Sequence, residues 1–235
     1  MSTTPYQDAL HFGANDSITL SSFYEGQNTL LLETCKKAIA TMRHESYFIF
    51  APPGSGKTHL ITALFNSIEN RAEKAFFMDL SIAVKLSPAL LNINPYPVMF
   101  VDNVDAICAK SEFEDAFFAL YNRWFDYGTG PLFITAVESA DSIAFLRRDL
   151  NTRLGNGLTF PLLRLNEEDC ARALELKAIM RGFTLAPKVA QYLVRHKNAY
   201  MPALVDILDR LDLASLQRQR EITIPFIKEI LGTDL

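Results

Sequence analysis

The sequence is short of features that mark several whole classes of protein. It has only three cysteines, Cys35, Cys108 and Cys170, far apart and without a C-x-x-C spacing. An odd number cannot form a closed disulfide set, so a reducing compartment is expected. No uninterrupted apolar run approaches the ~18 residues that a membrane span needs. The opening residues, Met1 to Phe12, have neither a basic n-region nor an apolar h-region, and the expectation is a soluble, cytoplasmic protein. Positive charge is not in excess: 23 Lys and Arg face 27 Asp and Glu, a net charge of -4. Bulk electrostatic coating of nucleic acid or of an anionic membrane is thereby excluded, and any role on DNA is local or borrowed. Internal repeats and low-complexity tracts are also missing.

What is present is a globular composition, 49% hydrophobic and 21% charged over 235 residues. That suffices for one large domain, or one domain with a small appendage. Up to Leu165 the chain carries 13 basic and 17 acidic side chains, and beyond it 10 of each. The pattern changes at the same place. Before Leu165, short apolar and aromatic runs alternate with helical stretches: Tyr47–Ala51, Ala75–Met78, Val98–Val101, Leu132–Thr135 and Leu158–Phe160. Runs this short and apolar suit strands buried on both faces of a parallel sheet. Phe113, Phe117, Leu120, Tyr121 and Trp124 fall on one stripe of an amphipathic helix and read as core.

After Leu165 every segment reads as helix. Asn166 is an N-cap before Glu167, Glu168 and Asp169, and Gly182 is a stop; further helices are expected near 187–197, 202–217 and 224–231, the last with Pro225 in its first turn. The prediction is an α/β nucleotide-type domain followed by a small helical domain, with the first dozen residues as a mobile arm.

The strand at Tyr47–Ala51 runs directly into Pro52-Pro-Gly-Ser-Gly-Lys-Thr58, and an apolar helix follows. This is the strand, glycine loop and helix order of a phosphate-binding loop. Backbone N–H groups from Pro53, Gly54, Ser55, Gly56, Lys57, Thr58 and His59, proline excepted, would close round phosphate oxygens at the positive end of the helix. Lys57 would reach the terminal phosphates and Thr58 would ligate Mg²⁺. Ala51 stands where the usual pattern has its first glycine. The apolar run Val98–Val101 ends in Asp102, the acid expected to hold Mg²⁺ through water.

Asn103 follows, where many ATPases place the carboxylate that activates water. An amide cannot take a proton, and general-base help is worth about 10²–10⁴ in rate, so self-catalysed hydrolysis should be slow. Asp105 reads as a loop-capping acid, with a substitute base as the alternative. Thr135, at the end of its strand, stands where a hydroxyl reaches a γ-phosphate or the attacking water. Arg153, near the end of a short helix, reads by itself as a surface partner of the helix dipole, with a catalytic role as the alternative.

Together these residues resemble the AAA+ ATPases of the DnaA branch, in particular the Hda family of short DnaA paralogues. The resemblance rests on Ser22–Asn28, the phosphate loop, Val101–Asp105, Leu120–Arg123, Leu150–Leu154, Arg181–Leu185, Leu211–Ser215 and Ile222–Leu231. It implies an α/β AAA+ P-loop NTPase domain with a central parallel sheet, followed by a small all-helical lid. The implied divisions are an arm at 1–14, the nucleotide-binding domain at 15–165 and the lid at 166–235. It further implies ADP or ATP with Mg²⁺ as cofactors and a negative role in chromosome replication initiation. A member of this family, bound to nucleotide and tethered to the DNA-loaded sliding clamp (the β subunit of DNA polymerase III), stimulates ATP hydrolysis by the initiator DnaA.

Under that resemblance Arg153 matches the family's arginine finger, which projects into a neighbour's ATP. Gln7, Leu10 and Phe12 match a Q-x-x-L-x-F clamp-binding peptide. Pro202 stands where the family has a sensor-2 arginine, which puts discrimination between ATP and ADP in doubt; Arg195 and Arg210 are alternative cations that also read as solvated helix faces. DNA is then reached only indirectly, no membrane is involved, and self-association is compatible with a site completed between subunits. Two rivals remain: a self-sufficient AAA+ remodeller or helicase loader, against which Asn103 and Pro202 argue, and a DNA-binding recruiter, against which the lack of a helix-turn-helix before the chain stops at Leu235 argues.

Overall fold

The computed structural model describes residues 18–196 and 200–232. The chain divides into two compact units. One comprises the described residues up to Leu20 together with Asn28–Leu162, and the other Ser21–Gln27 together with the chain from Leu163 onward.

The first unit is built on five strands, β1 Ser46–Phe50, β2 Ala75–Asp79, β3 Val98–Asp102, β4 Leu132–Ala136 and β5 Leu158–Pro161. They form one sheet in the order β2-β3-β4-β1-β5, and every pairing is parallel. The five strands expected from the apolar runs are these five. β3 and β4, two of the three interior strands, are buried at every residue, as suits a sheet covered on both faces. β5 lies at an edge, alternates in burial and ends in Pro161, a residue that an edge strand tolerates.

The helices of this unit are α1 Thr29–Thr41, α2 Lys57–Asn66, α3 Arg71–Lys74, α4 Leu80–Ala83, α5 Ser111–Tyr127 and α6 Arg148–Gly155. On one face an aromatic ladder crosses four strands in register: Tyr47 opposite Phe133, Phe133 opposite Phe100, and Phe100 opposite Phe77. The ring centroids of Tyr47 and Phe133 lie 5.0 Å apart, as do those of Phe100 and Phe133, both pairs stacked. Phe65 of α2 then packs on Phe77 and Phe100 at 5.5 and 5.9 Å. Such pairs add about 0.5–1.5 kcal/mol each beyond area burial. They also hold α2 down on the sheet, which fixes where its N-terminus emerges.

On the other face the α5 stripe of Phe113, Phe117, Leu120, Tyr121 and Trp124 is buried with Phe48, Met99, Val101 and Ile134. Trp124 satisfies its indole N–H on the Gly130 carbonyl at 3.0 Å.

The second unit is helical: α7 Glu167–Met180, α8 Pro187–His196, α9 Met201–Arg218 and α10 Ile224–Leu231. The Asn166 side chain caps α7 by accepting from the Asp169 N–H at 2.8 Å, and Thr223 caps α10 through the Phe226 N–H at 3.3 Å. Cys170, Leu174, Leu193, Leu208, Leu211 and Phe226 form the core of this unit.

One segment groups out of chain order. Residues 21–27 group with the helical unit and not with the α/β unit, whose last residue is Leu162. Tyr24 donates its hydroxyl to Asp169 at 3.2 Å, and Gly26 packs so closely on Leu165 that a Cβ there would lie 2.7 Å from a Leu165 methyl. A boundary read from the switch between strand and helix patterns cannot find a segment that crosses back.

Candidate functional site

The strand order brings the chemistry to one edge of the sheet. β1 leads into the glycine loop, its neighbour β4 carries Thr135, the next strand β3 ends in Asp102, and β2 ends in Asp79. All strands are parallel, so these residues share the C-terminal edge, where open α/β sheets place their ligands.

Ala51, in the place of the expected first glycine, is buried and donates its N–H to the Ala136 carbonyl at 3.2 Å. It continues the ladder between β1 and β4 as a strand residue, which explains why a Cβ is tolerated. The turn itself needs glycine: Gly54 and Gly56 have φ of 77° and 95°, in the region that side chains disfavour. Gly56 is the N-cap of α2, so the first N–H groups of that helix face the loop with no intrahelical acceptors. Ser55 donates its hydroxyl to the Pro52 carbonyl at 2.8 Å. His59, half-buried, lies in the first turn of α2. Lys57 is only 6% exposed. Its Nζ donates to the Ala51 carbonyl at 2.6 Å and to that of Pro52 at 3.4 Å.

Asp102 is fully buried. One carboxylate oxygen accepts the Thr58 hydroxyl at 2.6 Å and the other accepts the Thr135 hydroxyl. Burial pushes this carboxyl above the usual carboxylate range; the bonds from Thr135 and Thr58 act in the opposite direction, Asp79 adds to the rise, and the Lys57 charge opposes it. A near-buried ammonium, a helix start in a glycine turn and a buried carboxylate tied to a threonine hydroxyl form a donor set suited to a nucleotide phosphate with a hard divalent cation. The residues fit Mg²⁺-nucleotide, with Lys57 and the loop N–H groups for phosphate and Thr58 with Asp102 for the metal.

Asn103 is in the left-handed region, with φ 56° and ψ 52°. Its amide donates to Asp79 at 3.0 Å and to Asp102 at 3.2 Å, while its backbone N–H donates to the Thr135 hydroxyl at 3.0 Å. The position that holds a water-activating acid in many ATPases is thus occupied by an amide bridging two carboxylates. Thr135 spends its hydroxyl on Asp102 and Asn103. Asp105 accepts the Val137 N–H at 2.9 Å, the loop-capping role expected of it.

Arg153 lies in the last turn of α6, with its guanidinium 5.4 Å from the centre of the Phe125 ring. Among the described residues it makes no salt bridge, in contrast to Arg147, which pairs with Asp115 at 2.6 Å. Arg123, part of one resemblance motif, is structural: it donates to the carbonyls of Leu91 and Ile93 at 2.6 and 3.0 Å. Pro202 stands in the first turn of α9, and Arg195 and Arg210 are exposed on α8 and α9. Gln7, Leu10 and Phe12 lie outside the described residues.

Two residues escaped the sequence reading. Asp79 reaches the site only because β2 pairs with β3 in the register Asp79 to Asp102; a sequence offers no sign of that pairing. Glu114, also fully buried, accepts the N–H groups of Ala109 and Leu146 on one oxygen and of Arg147 on the other. In the sequence it resembles any acid in a first helical turn.

Three likenesses bear on this site. A family model described as the Hda lid domain matches residues 167–231. An uncharacterised protein of Haemophilus influenzae is 36% identical over 218 residues, 92% of this chain and 94% of that protein. Among solved structures, domain III of the replication initiation protein DnaA from Thermotoga maritima superposes with a TM-score of 0.79 at 17% identity, covering 93% of this chain and 97% of that one. A replication initiator DnaA bound to AMPPCP and single-stranded DNA gives 0.72 at 18% identity, covering 88% and 69%. These structural likenesses establish an AAA+ fold with a parallel sheet and a helical lid.

Proposed function

The chain belongs to the Hda/DnaA-related AAA+ family, and from that premise we propose that it is a negative regulator of replication initiation that stimulates ATP hydrolysis by DnaA through Arg153. The observation that carries the reading is the pairing of two opposite features. The chain's own P-loop has an amide, Asn103, bridging Asp79 and Asp102 where a general base belongs, and Arg153 has a guanidinium with no ion pair among the described residues. The first disfavours self-catalysed turnover. The second is a cation available to another protein's phosphates.

In this proposal the N–H groups of Gly54 to Thr58 and the Lys57 ammonium would hold the phosphates of ADP or ATP, while Thr58 and Asp102 would hold Mg²⁺, which would neutralise phosphate charge. A nucleotide bound there would supply the counter-charge for Lys57 and would turn over only slowly. Thr135 and Asn103 keep Asp102 oriented. Arg153 stabilises the charge that develops on the γ-phosphate of DnaA-bound ATP; a finger supplied in trans is worth about 10³–10⁵ in turnover, roughly 4–7 kcal/mol of barrier. Gln7, Leu10 and Phe12 tether the chain to the sliding clamp, Gln7 in a polar pocket and Leu10 with Phe12 in an apolar one. DNA is reached through the clamp, in keeping with a net charge of -4, and the setting is the cytoplasm.

The test is to mix the protein with ATP-bound DnaA and DNA-loaded clamp and to follow bound ATP becoming ADP, beside a turnover assay of the protein alone. Stimulated conversion with slow solitary turnover is expected, and substituting Gln7 and Phe12 should abolish clamp capture. Vigorous hydrolysis without DnaA or clamp would instead establish the self-sufficient AAA+ ATPase.

A further inference from the structure

We infer that Phe125 is a positioning residue for Arg153, part of a mount on α5 that holds the finger preformed before a partner arrives. This rests on the trans-finger reading above. The mount has three contacts, all from one stripe of α5, since Glu114, Tyr121 and Phe125 are related by i, i+7 and i+11. At the entry to α6, Glu114 accepts the N–H groups of Leu146 and Arg147 at 3.1 and 2.8 Å. At its exit, the Tyr121 hydroxyl donates to the Arg153 carbonyl at 3.0 Å and is itself within 3.3 Å of the Ser46 hydroxyl. One turn further along α5, the Phe125 ring stands 5.4 Å from the Arg153 guanidinium carbon. Backbone and side chain of the same residue are therefore gripped by Tyr121 and Phe125, four residues apart.

The asymmetry between these two aromatic residues points to the role. Tyr121 is buried at 3% exposure, whereas Phe125 is 54% exposed. A Phe left this open contributes little to the core, and its ring faces the Arg153 guanidinium. An aromatic face is a suitable seat for a finger: it holds a guanidinium by attraction to the ring while leaving the N–H donors unspent. A carboxylate in its place, like the Asp115 that holds Arg147, would neutralise the charge and occupy the donors. The last turn of α6 adds its dipole in the same sense.

The experiment is single-turnover conversion of DnaA-bound ATP with clamp on DNA, titrated with the full chain. It reads the maximal rate, the half-saturating concentration and the unfolding temperature for wild type, R153A, F125A, F125Y and the F125A/R153A pair. The mount requires F125A to lower the maximal rate roughly five- to tenfold with half-saturation nearly unchanged. Unfolding should also be nearly unchanged, F125Y should restore the rate, and F125A should add nothing in the R153A background. An F125A chain that converts at the wild-type maximal rate, or that raises only the half-saturating concentration, overturns the mount while R153A still abolishes conversion. If R153A converts normally, the finger reading itself is wrong and the mount falls with it.

Discussion

Asp102 is a carboxylate with no solvent exposure, and its ionised form is held against the cost of desolvation by two threonine hydroxyls and the Asn103 amide. Because its acidity is weakened in the fold, the sign of its effect on stability is fixed. The penalty is absent below the ordinary carboxylate pKa, grows between that value and the raised one, and is full above it. D102N should therefore raise the unfolding temperature at neutral pH by a few degrees, since about 1 kcal/mol moves a domain of this size by roughly 2–4 °C. The same variant should lose the Mg²⁺ dependence of nucleotide binding. Thermal scans at neutral and acid pH check the first half and nucleotide titrations with and without Mg²⁺ the second: a variant that unfolds earlier than wild type at neutral pH, or that binds nucleotide with unchanged Mg²⁺ dependence, contradicts this account. Neighbouring Asn103 shows what a sequence can say at this scale. Its identity already argues for slow turnover, but its partner Asp79 becomes visible only through strand pairing.

At the scale of elements, α5 does two jobs. Its apolar stripe covers the sheet with Phe113, Phe117, Leu120, Tyr121 and Trp124, and its acidic first turn gathers the loop that enters α6 through Glu114. E114A leaves three backbone N–H groups without their carboxylate and should cost about 3–5 kcal/mol. E114Q keeps one acceptor oxygen, enough for Ala109 and Leu146, and sets an amide against the Arg147 N–H. It should cost about half as much. Urea unfolding measures the order; equal midpoints for wild type and E114A would show that Glu114 carries none of this load.

The stripe itself was legible from spacing, as were all five strands, because both follow from periodicity and burial. Glu114 was not, because a first-turn acid on a solvated helix has the same sequence signature as one that closes over a loop. The grouping of 21–27 with the helical unit is illegible for a related reason: Tyr24 finds Asp169 across 145 residues of chain, and no local pattern records that.

At the scale of the whole molecule, the glycine-loop edge of the sheet and Arg153 belong to the same α/β unit, and no described helix is long and apolar enough to cross a membrane. The P-loop pattern and Asp102 are legible as motifs, whereas Arg153 stands out only through the family resemblance. What the fold adds is their placement: Lys57 and Asp102 are buried and tied into the chain, whereas Arg153 lies over an aromatic ring with its charge unpaired among the described residues. In the proposed function, a protein so arranged binds nucleotide for structure and offers its cation elsewhere. The most direct measurement is the rate at which ATP bound to DnaA becomes ADP, with clamp on DNA, for wild type and for R153A. The account predicts that R153A loses about 10³-fold or more of the stimulation while keeping clamp binding and nucleotide binding. An R153A chain that stimulates like wild type would contradict it.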